Sequence, residues 1–267
     1  MKNIIAFLPL KISADPGRKD YDGNLWRARC LIESLERHLT EPLNLVVCSP
    51  AAEMQTLYTE MPISRRVTIT FVDENTIIPG ISAAGCPGWY KQQALTIQFA
   101  ADQKRATLRL DPDIWLTRSL SEADLWRDGK TANDFWARTH QICDSETSAK
   151  LIGCALDKCG DKIGDTPFTM VPEVARPLVE HMTKRLGSML GMAHCVGWTE
   201  IALYSLFADY HGGIERFHFR QPLHGTVILD RSEIARKRID PGAGFFAILN
   251  SRMNLPEFQS KMIMSAA

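Results

Sequence analysis

The amino-acid sequence predicts an α/β fold in which helices flank a mostly parallel, open sheet. Strand-like apolar segments alternate with helix-like segments through the first 110 residues, and such alternation is typical of a parallel sheet with right-handed crossovers. The clearest helix carries Leu31, Leu35 and Leu39 on one face at i, i+4 spacing. No internal repeat or clean linker interrupts the 267 residues, so one domain is the simplest organisation.

The predicted elements follow one another in a regular order as far as residue 110. Strands are predicted at residues 3–10, 43–48, 67–72 and 106–110, with helices between them at 25–39, 51–61 and 89–101. A polar loop, residues 13–24, follows the first strand. The second half is less regular, with short strands predicted at 133–139, 166–171, 217–219 and 226–229 and helices at 172–190 and 199–210.

The composition is that of an ordinary globular protein, with 45% apolar and 23% charged residues. Lys and Arg together number 31, as do Asp and Glu, so no overall field recruits nucleic acid or an acidic membrane. No segment reaches transmembrane length, and the apolar N-terminal run lacks the small-residue cleavage site of a signal peptide. Seven scattered cysteines indicate reduced thiols. We therefore expect a cytoplasmic protein.

The most informative motif is Asp111-Pro112-Asp113, which directly follows the predicted strand at 106–110. Ligands of open α/β sheets bind in the crevice beyond the carboxyl ends of the strands. Two carboxylates there can hold Mg²⁺ or Mn²⁺, which usually bridges protein carboxylates to nucleotide phosphates. The motif therefore indicates chemistry on a nucleotide diphosphate. A haloacid-dehalogenase-type phosphatase is the weaker interpretation, because its Asp-X-Asp normally follows the first strand.

A second group of candidate residues opens the helix that precedes this strand, in the sequence Gly88-Trp89-Tyr90-Lys91-Gln92-Gln93. A helix N-terminus offers free N–H groups and a positive dipole end, both of which favour an anionic ligand. Lys91 adds a cation for a phosphate, and Gln92 or Gln93 can bind sugar hydroxyls. The alternative is that Trp89 and Tyr90 are core aromatics beside a solvated lysine.

A third candidate is Glu200, at the start of the helix that Trp198-Thr199-Glu200 opens. Thr199 is a suitable N-cap, and a carboxylate in the first turn is favoured by the helix dipole. Glu200 is therefore either a general base that faces an acceptor hydroxyl or a residue that only supports the helix.

Two histidines near the C-terminus are candidate ligands of a metal or a diphosphate. His224 precedes Gly225 in a loop-like segment and is the first choice, with His218 in reserve. A structural role is the alternative for either residue.

Together these residues resemble the GT-A superfamily of nucleotide-sugar glycosyltransferases. The resemblance is greatest to a bacterial group with a Gly-Trp-Tyr-X-Gln-Gln helix, an Asp-X-Asp strand and a later Trp-Thr-Glu or Ser-Glu helix start, and it covers roughly residues 88–210. It implies a GT-A-like fold in one domain. Residues 1–115 would then form the nucleotide and donor half, and residues 116–267 the acceptor half with a C-terminal segment for the metal and diphosphate.

The resemblance also implies a metal site. Asp111 and Asp113 match the metal-binding pair, with Asp113 as the direct ligand and Asp111 nearer the ribose or the metal. His224 matches the C-terminal histidine that joins the metal in many members. Mn²⁺ or Mg²⁺ is the expected cofactor, and it would act as a Lewis acid on the departing diphosphate.

On the acceptor side, Glu200 matches the acidic residue that serves as base in inverting members. Asp73, at the end of a predicted strand, is expected near the nucleotide base from topology alone. The helix start is expected to border the donor sugar through Tyr90, Lys91, Gln92 and Gln93.

The implied activity is transfer of a sugar from a nucleoside diphosphate sugar to a hydroxyl acceptor, with a bacterial glycan as the default. Two alternatives stay open. A metal-dependent nucleotidyltransferase would use the same fold and carboxylates, but it needs a glycine-rich basic loop after the first strand. Gly17-Arg18-Lys19 matches such a loop only weakly. A non-catalytic nucleotide- or sugar-binding protein is the other.

Overall fold

The computed structural model describes residues 1–12, 24–136, 142–156, 161–228 and 244–249. The strands in these ranges are β1 (Ile4–Pro9), β2 (Leu43–Ser49), β3 (Val67–Asp73), β4 (Ala106–Arg109), β5 (Ile114–Leu116), β6 (Trp126–Arg127), β7 (Lys130–Asn133), β8 (Phe135–Trp136), β9 (Lys162–Ile163), β10 (Phe168–Met170), β11 (His218–Arg220), β12 (His224–Ile228) and β13 (Phe246–Leu249). The α-helices are α1 (Asn24–His38), α2 (Met54–Glu60), α3 (Glu74–Ile77), α4 (Gly88–Asp102), α5 (Glu122–Leu125), α6 (Ile142–Ile152), α7 (Pro172–Leu186), α8 (Met189–Ala193) and α9 (Glu200–Tyr210).

A five-stranded sheet, in the order β10-β4-β1-β2-β3, lies at the centre of the fold. Strand β1 pairs in parallel with β2 and β4, and β2 pairs in parallel with β3. Strand β10 runs antiparallel to β4, with Phe168 opposite Arg109. The predicted mostly parallel α/β fold is confirmed, and the second half of the chain supplies its one antiparallel strand. The division of the chain at residue 115 stays a prediction.

Strand β1 is the most deeply buried part of the sheet, since all six of its residues are buried. Its Phe7 stacks on Phe99 of α4, with ring centroids 4.2 Å apart. On α1, Leu31 and Leu35 are fully buried, as their spacing predicts. Burying each such side chain contributes about 1.5–3 kcal/mol. This packing fixes α1 and α4 against the sheet and so positions the helix starts beside the strand ends.

The helix predicted at residues 172–190 is interrupted before its end. It begins at Pro172, as expected for a residue that lacks an N–H. It stops before Gly187, which takes a left-handed φ of 81° and donates its N–H to the carbonyl of Thr183. Ser188 then caps α8 by accepting a hydrogen bond from the N–H of Gly191. A glycine turn and a second short helix therefore replace the last predicted turn.

The sequence pattern missed β5 and α6. Strand β5 has three residues and pairs antiparallel with β13, which is distant in the sequence: Trp115 lies opposite Ala247. The strand predicted at 133–139 corresponds in part to β7 and β8, and residues 137–139 lie outside the described ranges. No helix in the described parts of the chain is both long and apolar enough to cross a bilayer.

A buried hydrogen-bond network around His218 joins β7, β11 and α9. Asn133 Nδ2 lies 3.0 Å and Thr131 Oγ1 2.6 Å from His218 Nδ1, and Tyr204 Oη lies 3.0 Å from Nε2. The amide orientation of Asn133 is fixed because its Oδ1 accepts the N–H of Thr169 at 2.7 Å. An amide nitrogen can only donate, so Nδ1 accepts and Nε2 carries the proton that is donated to Tyr204.

This network holds His218 in its neutral form. Both ring nitrogens are engaged, and burial lowers the pKa of His218 to about 3 from an ordinary 6.5. The unfolded chain binds a proton at this residue below about pH 6.5, whereas the folded chain does not. The free energy of unfolding therefore falls as the pH falls from about 6.5 towards 3, by about 1.4 kcal/mol per pH unit from this residue.

We predict that His218→Gln flattens the acid dependence of stability. Between pH 6.5 and 5, wild-type protein should lose about 2 kcal/mol more unfolding free energy than the variant. Urea denaturation at a series of pH values measures both slopes. His194→Gln, which changes an exposed histidine, is the control and should keep the wild-type slope. Equal slopes for wild type and His218→Gln would contradict the buried neutral imidazole.

Candidate functional site

A cavity of about 490 Å³ opens where β1 and β4 end, at the carboxyl edge of the central sheet. This is the position where open α/β sheets bind ligands. Helices α1, α4, α6 and α9 each contribute lining residues from their first turns, so four helix N-termini border the cavity. The residues that line it are Pro9, Leu10, Lys11, Asn24, Arg27, Trp89, Gln92, Gln93, Arg109, Asp111, Pro112, Asp113, Asp144, Asp165, Thr166, Thr199, Glu200 and Ile201.

Asp111 lies in this cavity with both of its carboxylate oxygens bonded to protein groups. One oxygen accepts from Arg109 Nη2 at 2.8 Å, and the other accepts from Thr166 Oγ1 at 2.6 Å. Thr166 comes from the segment before β10, which the antiparallel pairing of β10 with β4 brings alongside. Asp111 is therefore held in place by the fold, and its carboxylate is neutralised by a buried guanidinium.

Asp113 faces the same cavity in a different electrostatic environment. Partial burial and the neighbouring charge of Asp111 raise the pKa of Asp113 to about 7, with Arg27 acting in the opposite direction. A carboxylate whose ionisation is disfavoured in this way gains most from an added cation, because a bound divalent ion reverses the local charge balance. Of the two aspartates, Asp113 is the better placed to ligate a metal.

Glu200 is buried at the first turn of α9 and lines the cavity. Thr199 caps the helix, as expected, by accepting a hydrogen bond from the N–H of Ala202 at 3.0 Å. The backbone N–H of Glu200 donates to Gln93 Oε1 at 2.7 Å. Burial raises the pKa of Glu200 to about 7, while Arg109, 3.9 Å from its carboxylate, acts to lower it. Glu200 therefore exchanges its proton near neutral pH.

Helical periodicity divides the predicted residues of α4 into two groups. Trp89, Gln92 and Gln93 stand at i, i+3 and i+4 and line the cavity together. Tyr90 and Lys91 do not line it. The hydroxyl of Tyr90 accepts from the N–H of Gly197 at 2.7 Å. Lys91 pairs with the buried carboxylate of Glu74, so its charge neutralises that carboxylate rather than a ligand in the cavity.

The other predicted site residues lie apart from the cavity or outside the description. Asp73 caps α3 by accepting a hydrogen bond from the N–H of Asn75 at 3.1 Å and does not line the cavity. His218 belongs to the buried network described above, with both ring nitrogens engaged. The backbone of His224 begins β12, but its side chain lies outside the described residues, as do residues 13–23 of the polar loop.

Several residues of the cavity carry signals that sequence reasoning overlooked. Arg109 is a charged residue inside the buried strand β4, and Arg27 lies four positions before Leu31 on the apolar face of α1. A charge at a core position indicates a buried partner. Asp165 and Thr166 carry no such signal, because only the pairing of β10 with β4 places them in the cavity.

The lining of the cavity fits a hard divalent cation. Five carboxylates, Asp111, Asp113, Asp144, Asp165 and Glu200, face three cationic side chains, Lys11, Arg27 and Arg109. Within the described ranges no three His, Cys, Asp or Glu side chains are grouped so as to bind a metal by themselves. Mg²⁺ and Mn²⁺ do not require such a cage, because they commonly bind one or two carboxylates together with phosphates of the substrate.

Residues 1–235 match a family described as a family of unknown function, DUF6492. The chain belongs to this family. No curated protein matches the sequence. The fold is similar to that of mouse xyloside xylosyltransferase 1 in its apo form, with a TM-score of 0.55 and 12% sequence identity over 95% of this chain and 99% of the mouse chain. At that identity the likeness concerns the fold alone, and it gives this member of DUF6492 a GT-A-like glycosyltransferase fold.

The raised pKa of Glu200 predicts a cost in stability. In the folded chain its pKa is about 7 and its ordinary value is 4.5. The folded state therefore retains a proton that the unfolded state loses between these values. The free energy of unfolding falls as the pH rises from about 4.5 to 7, by about 3 kcal/mol in all, because each tenfold change in an equilibrium is about 1.4 kcal/mol.

We predict that Glu200→Gln stabilises the metal-free protein at pH 8, by about 3 kcal/mol at most, because the amide never ionises. Urea denaturation at pH 5 and pH 8 measures this difference. Glu173→Gln is the matched control, since Glu173 also lies in the first turn of a helix but is exposed. If wild type and Glu200→Gln lose the same stability between the two pH values, the buried acid carries no such cost.

Proposed function

We propose that this protein is a metal-dependent glycosyltransferase that moves a sugar from a nucleoside diphosphate sugar to a hydroxyl group of a glycan. The observation that carries the proposal is the presence of Asp113 and Glu200 in one cavity at the carboxyl edge of a GT-A-like sheet. Transfer of a glycosyl group needs a cation for the departing diphosphate and a group that manages the proton of the attacking hydroxyl. The cavity offers a residue for each task.

The donor is proposed to lie across the ends of β1 and β4. Lys11, Asn24 and Arg27 line this side and offer donors for the nucleotide, and the N-terminus of α1 adds a positive dipole end. Asp113, with His224 as a further ligand, would hold Mn²⁺ or Mg²⁺. When bound, the cation neutralises charge on the leaving diphosphate. Asp111 stays bonded to Arg109 and Thr166 and lines the cavity beside the proposed cation.

Glu200 is proposed as the general base. Its pKa of about 7 means that a substantial fraction is ionised at neutral pH and that the carboxylate is basic enough to accept a proton. The acceptor hydroxyl gives its proton to Glu200 as its oxygen bonds to the anomeric carbon, and the bond from that carbon to the diphosphate oxygen breaks. This in-line displacement inverts the anomeric configuration. Retention of configuration would assign Glu200 an orienting role instead.

The source of the acceptor is proposed to be a bacterial glycan, on the strength of the motifs in α4, the Asp-Pro-Asp turn and the start of α9. The excess of carboxylates in the cavity disfavours an acidic acceptor at the reacting hydroxyl, since like charges would meet there. A neutral sugar hydroxyl is therefore the preferred acceptor group.

We predict that a nucleoside diphosphate sugar raises the melting temperature only when Mn²⁺ or Mg²⁺ is present. Asp113→Asn should lose this increase and reduce donor turnover by about 100-fold or more, because the cation loses its carboxylate. A thermal-shift screen of UDP-, GDP-, ADP- and dTDP-sugars measures binding. Release of nucleotide by the purified enzyme measures turnover.

Asp102→Asn is the control, because Asp102 is an exposed aspartate at the far end of α4, bonded to Gln98. It should keep the wild-type response. A response restricted to nucleoside triphosphates would support a nucleotidyltransferase instead. A metal-dependent shift without turnover on any acceptor panel would support a binding protein.

A further inference from the structure

The face of α4 that lines the cavity carries two side chains whose environment the proposed chemistry leaves unexplained. Gln93 is buried, with 2% of its surface exposed, yet its Nε2 has no hydrogen-bond partner among the described residues. Trp89, one helical turn before it on the same face, is 53% exposed. A buried amide donor that lacks a partner is costly unless a ligand supplies an acceptor. A half-exposed indole offers an apolar surface on which a ligand can pack.

The orientation of the Gln93 amide is fixed by its other end. Its Oε1 accepts the N–H of Glu200 at 2.7 Å, so Nε2 is the end left without a partner on a residue that lines the cavity. An amide NH₂ can only donate, and therefore it requires an acceptor oxygen. Leaving such a donor buried and unsatisfied destabilises the folded protein. A ligand hydroxyl beside Glu200 would remove that cost.

Trp89 lines the cavity and is partly exposed to solvent. Its ring meets the ring of Tyr90 edge to face at 5.0 Å, and Tyr90 is in turn bonded to Gly197, in the segment that leads into α9. The indole is thus tied to the Glu200 side of the cavity. Among the described lining residues it is the one aromatic side chain.

An apolar aromatic surface and an uncharged hydrogen-bond donor on one helix face match the chemistry of a pyranose ring. Such a ring has an apolar C–H face that packs on an aromatic surface and hydroxyl edges that accept hydrogen bonds. Trp89, Gln92 and Gln93 carry no charge, which suits a neutral sugar. The anionic part of a sugar donor requires cationic groups, which Lys11 and Arg27 supply elsewhere in the cavity lining.

We propose that Trp89 and Gln93 form the subsite for the acceptor sugar, with its ring on the indole and one hydroxyl between Gln93 Nε2 and Glu200. This inference rests on the proposed function, and it names the acceptor as a neutral glycoside rather than a protein or lipid hydroxyl. Trp89 is then the residue that selects a sugar ring, and Gln93 orients its hydroxyl towards the base.

The test is saturation-transfer NMR on wild-type protein with methyl glycosides of glucose, galactose, mannose, xylose and N-acetylglucosamine as probes. We expect saturation of the ring C–H protons of at least one glycoside. Trp89→Ala should raise the Kd for that glycoside about tenfold or more, as for the loss of a central aromatic contact. Trp89→Phe should retain most of the affinity. Tyr210→Ala removes an aromatic residue that is 60% exposed at the end of α9 and should change nothing.

Gln93→Met provides the second variant, because it removes the amide donor and keeps the length of the side chain without adding a charge beside Glu200. This variant should bind the same glycoside more weakly while the protein stays folded, as judged by its melting temperature. Equal binding by wild type and Trp89→Ala, or no saturation of any probe, overturns the subsite. Displacement of the glycoside by a nucleotide sugar but not by the bare nucleoside diphosphate would assign the ring to the donor and overturn the acceptor role.

The failure of the proposed function has a different signature. In that case glycosides still bind through Trp89, but no nucleoside diphosphate sugar shifts the melting temperature with Mn²⁺. Conversely, a metal-dependent donor response that is unchanged in Trp89→Ala, together with unchanged glycoside binding, preserves the transferase and rejects the subsite.

Discussion

The site depends on the interactions of the Arg109 guanidinium. It is buried at the end of β4, donates to Thr96 of α4 at 3.1 Å, pairs with Asp111 at 2.8 Å and lies 3.9 Å from Glu200. Removing a guanidinium from water costs several kcal/mol, and only well-placed carboxylates offset that cost. Arg109 thereby fixes the Asp-Pro-Asp turn, α4 and the start of α9 relative to one another.

Asp113 and Glu200 are less well compensated than Asp111. Asp113 and Glu200 both have raised pKa values, and burial is the largest cause in each case. The first turns of four helices supply positive dipole ends that reduce the repulsion without cancelling it. Ionisation of these two acids therefore costs stability in the folded chain, and a bound cation would offset that cost. Such a conflict between stability and activity is common in functional sites.

Most of the central sheet could be predicted from the sequence, because its strands are apolar runs and the intervening helices have regular apolar spacing. The cavity could be located from Asp111 and Asp113 once the order of strands was clear. Lys91 shows the limit of that approach, since adjacent positions on a helix face different directions and Glu74 competes for its charge. Asp165 and Thr166 could not be predicted, because only the antiparallel pairing of β10 with β4 brings them to the cavity.

The position of β10 also constrains the order in which the protein is built. Strand β4 lies between β1 and β10, and β10 is made about 60 residues after β4. A chain emerging from the ribosome therefore presents β4 with one unpaired edge until Met170 has been synthesised. Exposed strand edges are sites of intermolecular pairing. The sheet that the first 110 residues begin is thus completed only when β10, from the second half of the chain, pairs with β4.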